Sequence, residues 1–135
     1  MTKVYLSHSI RGSKGDNATE EDMIENCQKA KDFAALVRKW FETILFYVPA
    51  EMDEFLVAKG IRPEKIVPEL LSLDLAVIDN CDAVIFYNHL NSKGCAIEME
   101  HTLKTNKPYA ILDPDADCID DLRVLNALFT NLEKG

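Results

Sequence analysis

The chain has 135 residues, with 15 Lys and Arg against 23 Asp and Glu, a formal charge of -8, 47% hydrophobic and 28% charged residues. That length can build one hydrophobic core without metal or disulfide support, so residues 1–135 are expected to form a single globular domain. The acidic balance repels polyanions and argues against a nucleic-acid groove; without a long apolar run or a charged-apolar leader, a soluble, cytoplasmic protein with no membrane partner is expected.

Lys3-Val4-Tyr5-Leu6 reads as a short buried strand. It leads into Ser7-His8-Ser9-Ile10-Arg11-Gly12-Ser13-Lys14-Gly15-Asp16, a loop of hydroxyls, glycines and cations where an anion is expected to bind. Neither a dinucleotide fingerprint nor a Walker loop is present. Thr19 and Asp22 form a capping pattern, and Met23, Cys27, Ala30, Ala34, Val37 and Phe41 recur at helical spacing, predicting an amphipathic helix over about 20 to 41. Ile44 to Val48 is continuously apolar and ends at Pro49, the pattern of a second parallel strand buried on both faces.

Glu51 to Lys59 suits a short helix stopped by Gly60, and Pro63 opens another that runs to about Ile78 or Asp79, with a kink at Pro68. On it Asp74 shares a face with Val67, Leu71 and Ile78, an unusual place for an acid. Ala83 to Tyr87 is the third strand and Pro108 to Leu112 the fourth, separated by a helix beginning near Cys95; Leu122, Leu125, Phe129 and Leu132 mark a closing helix. Strands alternating with helices imply a parallel sheet in a three-layer α/β sandwich, flavodoxin-like or Rossmann-like.

Between the third strand and its helix, Asn88 to Glu98 is a small polar loop feeding a carboxylate, with Glu98 expected on the first helical turn, facing the crevice at the strand ends. There the macrodipole favours the anion, whereas the apolar neighbours of Asp74 disfavour its charge. Carboxyls held in such different surroundings divide into an acid-base group and an ionised nucleophile, the equipment for breaking a bond at an anomeric carbon. Metal chemistry is not expected. Glu98 and His101 stand at the spacing of a di-metal bundle motif without the second copy, and Asp113, Asp115 and Asp117 lack the glycine and closing glutamate of a calcium loop. No serine stands in a G-x-S-x-G turn, and Cys27, Cys81, Cys95 and Cys118 form no C-x-x-C pair and read as small buried hydrophobes. Of the three histidines, His8 in the anion loop is the candidate for a functional role, and no cofactor is implied.

These residues resemble the nucleoside 2-deoxyribosyltransferase superfamily, most closely its 2'-deoxynucleoside 5'-monophosphate N-hydrolase branch. The resemblance rests on Tyr5 followed by Ser9-Ile10-Arg11-Gly12, and on Asp74-Leu75, Cys81-Asp82, the strand from Ala83, Ser92, Gly94 and Glu98, with 24 positions from Asp74 to Glu98. It implies cleavage of the N-glycosidic bond of a (deoxy)nucleoside 5'-monophosphate, with Glu98 as nucleophile and Asp74 as acid-base or sugar-orienting partner. It also implies that Tyr5, His8, Ser9, Ile10, Arg11, Gly12, Ser92 and Gly94 line the substrate site. Ser9 and Arg11 would hold the 5'-phosphate, and Ser92 would reach into a neighbouring subunit of a homodimer or larger homo-oligomer. His8 stands where the branch has glycine, Cys95-Ala96-Ile97 replaces its small residues, and 51–66 has no counterpart. The alternatives are base exchange, in which a second nucleobase intercepts the intermediate, and a non-catalytic nucleotide-binding module.

Overall fold

A computed structural model describes residues 2–9, 12–51, 73–87, 92–113, 115 and 117–134. Among them, four strands form one parallel sheet: β1 (Thr2–His8), β2 (Ile44–Tyr47), β3 (Ala83–Tyr87) and β4 (Tyr109–Leu112), in the order β2-β1-β3-β4. Helices α1 (Glu20–Trp40), α2 (Lys93–Lys104) and α3 (Cys118–Lys134) and a helical stretch at 73–79 flank it, giving the three-layer, flavodoxin-like sandwich. No helix of the described residues is long and apolar enough to cross a membrane.

Alternation along β1 divides the core between the two faces of the sheet. Val4 and Leu6 join Phe33, Ala34 and Val37 of α1 and Leu125 and Phe129 of α3 on one side. Tyr5 points to the other, where Ile78, Cys81, Val84 and Phe86 are buried and Leu75 and Met99 pack beside them. The fully buried aliphatic chains each contribute about 1.5 to 3 kcal/mol by leaving water. At its start α1 is held by a reciprocal capping box: the Asp22 N–H donates to Thr19 Oγ1 at 3.1 Å, and the Thr19 N–H to Asp22 Oδ2 at 2.9 Å. With the Thr19 backbone donating to it and the Lys14 ammonium beside it, the Asp22 carboxyl is held below its ordinary range.

Three features differ from those expected. β1 runs two residues further, through Ser7 and His8, because β3 continues the ladder there, with Ser7 opposite Phe86 and His8 opposite Tyr87. β2 is an edge strand of this sheet and Leu45 is 52% exposed, so it is not buried on both faces. The loop after β1 contains a 3-10 turn at Gly12–Asn17. The expected helix over 51–59, apart from its first residue, and the start of the one opened by Pro63 fall on 52–72, outside the described residues; the predicted end of the latter is helical over 73–79.

β1 lies between β2 and β3, so the chain leaves it to one side and returns on the other. In such a sheet a crevice opens beyond the carboxyl ends of the two strands where the direction reverses, here β1 and β3.

Candidate active site

Glu98 is 5% exposed and lies against β1. It accepts hydrogen bonds from two hydroxyls on successive inward positions of that strand: Tyr5 donates to Oε2, and Ser7 donates to Oε1 at 3.0 Å. An ionised carboxylate only accepts, so two donors from a rigid strand suit it. Asp74, half-buried on the 73–79 stretch, acts on the same Tyr5 hydroxyl through its charge and a hydrogen bond. Burial first, and then the two carboxylates, push the Tyr5 phenol far above its ordinary value, so it stays a neutral donor.

Cys95 completes the cluster, 2% exposed, with Sγ 3.4 Å from Ser7 Oγ. Burial pushes its thiol up to about 11, hydrogen bonds with Ser7 and Ser92 pull against that, and the Glu98 charge adds to it. Ser92 is the N-cap of α2, its Oγ accepting the Cys95 N–H at 3.1 Å. At Gly94 an added Cβ would meet only Ser92 Oγ, at 4.0 Å, an ordinary contact, so the described neighbours do not demand glycine there.

The helix begins at Lys93, so Glu98 stands on its second turn, not its first, and the first turn holds no acid. Macrodipole stabilisation falls off within the first turn, so the Tyr5 and Ser7 hydroxyls are the stronger partners of this carboxylate. Glu98 and His101 do not converge either, since His101 Nε2 lies 2.6 Å from Asp79 Oδ1.

The anion loop is partly closed on itself. Ser9 is 1% exposed and its Oγ accepts the Gly12 N–H at 2.6 Å, while Gly12 has φ of 67° and a Cβ there would fall 2.6 Å from Asn26 Nδ2. Ile10 and Arg11 lie outside the described residues. His8 occupies the face of β1 opposite to Tyr5 and Ser7, 7% exposed, its Nε2 accepting the Ala50 N–H at 2.9 Å and its Nδ1 without a partner among the described residues. Burial lowers its imidazole to about 4, only partly offset by the Ser9 backbone. It is therefore a neutral group at neutral pH, apart from the carboxylates.

Of the expected site residues, Tyr5, Asp74 and Glu98 come together, with Ser92 and Gly94 at the head of the same helix. Ser7 and Cys95 were not anticipated. Ser7 is two residues after Tyr5, hence on the same strand face, and Cys95 is three before Glu98, hence on the same helix face. Comparison with protein-family models, with curated proteins and with solved structures gives no match for this chain.

Proposed function

We propose that the chain cleaves the N-glycosidic bond of a (deoxy)nucleoside 5'-monophosphate through a glycosyl-enzyme at Glu98. The observation that carries this is one buried hydroxyl, Tyr5, shared by two carboxyl groups, Glu98 and Asp74. Two carboxyls bridged by a single oxygen lie within roughly 5 to 6 Å of one another, the spacing of a nucleophile and its acid-base partner rather than of a pair with a water between them. A Glu98 oxygen bonds to the anomeric carbon as the carbon–nitrogen bond breaks, its electron pair leaving with the base, which takes a proton from Asp74. Water then attacks the same carbon, gives a proton to Asp74 and frees Glu98.

Ser9 and Arg11 are assigned to the 5'-phosphate, a hydroxyl and a planar five-donor cation on the loop after β1. Ser92, whose Oγ caps α2 by accepting the Cys95 N–H, is assigned to a phosphate oxygen in the site of a neighbouring subunit, which makes the active form a dimer or larger. Incubating the protein with a panel of nucleosides and 5'-monophosphates and separating free base by chromatography tests the proposal. Release from at least one monophosphate is expected; none from any substrate refutes it.

A further inference from the structure

A glutamate carboxylate turns on a soft, roughly two-fold terminal torsion, so one donor tethers it without fixing its plane. Two donors on opposite oxygens fix both position and plane. Tyr5 holds Oε2 and Ser7 holds Oε1, and both are fully buried on the central strand of the sheet. Ser7 has a single proton. With that proton committed to Glu98, the nearer and charged acceptor at 3.0 Å, Cys95 Sγ at 3.4 Å is left as a close neighbour of the hydroxyl.

We propose that Ser7 is a positioning residue for Glu98: its hydroxyl, fixed on the buried strand beside Cys95, locks the carboxylate plane so that one oxygen faces the anomeric carbon. This rests on Glu98 being the nucleophile. Ser7 touches no substrate in this scheme. A residue that only filled space would affect how much protein folds; one that positions an anion affects its titration and the chemical step.

Ser7→Ala is therefore expected to lower kcat about tenfold or more, the loss of one hydrogen bond to a charged group, with KM within about twofold. The acid limb of the kcat/KM profile is expected to move up by about one pH unit, because a donor to the charged form is gone. Ser7→Thr keeps the hydroxyl and is expected to restore the parental limb. If Ser7→Ala does not fold, Ser7→Cys, with a weaker donor, is expected to shift in the same direction. The Glu98 carboxyl is followed in parallel by carbon-13 NMR, its signal assigned by its disappearance in Glu98→Gln. An unmoved acid limb with parental kcat, or an unmoved Glu98 titration, overturns the role of Ser7. If the parent protein releases no base at all, the nucleophile assignment fails, and the NMR titration alone then decides whether Ser7 holds the carboxylate.

Discussion

Tyr5→Phe removes one oxygen and leaves the ring, fully buried and stacked on Tyr47 at 5.6 Å with 18° between planes, so packing on that face is preserved. What disappears is the hydroxyl that Asp74 shares with Glu98, a carboxylate only 5% exposed that would retain Ser7 but little access to water in exchange. A hydrogen bond to a charged group is worth about 1.5 to 3 kcal/mol, and one between neutral groups about 0.5 to 1.5 kcal/mol. The variant is thus expected to lose about 2 kcal/mol at neutral pH, a fall in Tm of roughly 6 to 10 °C for a chain of this size, and less than half of that in acid. The sign follows from linkage: the hydroxyl favours the charged form of Glu98, so its stabilisation is present while the carboxylate is ionised and is lost as falling pH protonates it. Urea unfolding followed by circular dichroism at pH 7 and in mild acid measures both values, and an unchanged m confirms that the same surface unfolds. Equal midpoints for parent and variant at pH 7 would refute the bond between Tyr5 and an ionised Glu98.

Glu98→Gln is expected to abolish base release while preserving the circular dichroism spectrum, since it keeps shape and removes the anion; near-parental turnover counts against the nucleophile. Arg11→Ala is expected to cut kcat/KM for a 5'-monophosphate at least tenfold while barely changing that for the nucleoside, and an unchanged ratio would turn attention to base exchange between nucleosides. His8 is buried neutral with its pKa lowered to about 4, so between pH 6.5 and 4 the unfolded chain binds a proton that the folded one refuses, and stability falls as pH falls through that window. By pH 4 the loss from this group reaches about 3 kcal/mol, and His8→Gln, which still accepts the Ala50 N–H, should flatten that part of the stability curve. Gly12→Ala is expected to cost roughly 1 to 2 kcal/mol in urea unfolding, because a side chain is placed at φ of 67° against Asn26.

The layered architecture was legible because three of the strands are unbroken apolar runs and α1 announces its start with Thr19 and Asp22. Asp74 and Glu98 stood out as acids beside an apolar stripe and a strand-end loop. Ser7 was hidden for the opposite reason: polar residues at the end of a strand look like loop, and only their pairing with β3 shows that β1 continues through them. The start of α2 was placed two residues late because Lys93 and Gly94 carry no apolar signal, although Ser92 is a good cap. His8 was assigned to the substrate loop by its position in the chain, but strand alternation turns it to the other face, against Ala50.

The bonds that define the candidate site join residues far apart in the chain, Tyr5 to Glu98 across 93 positions and Ser7 to Glu98 across 91. Closing so long a loop costs entropy before any contact repays it, and a parallel sheet whose first strand is central needs several such closures. During synthesis β1 emerges first yet has no sheet partner until β2 appears and no β3 until about eighty residues have been made. Its apolar face must wait, exposed to other chains, for partners still unmade. Glu98 meets Tyr5 only after β3 and the helix behind it have docked, so the proposed base release is expected to return on refolding later than the helical content measured by circular dichroism.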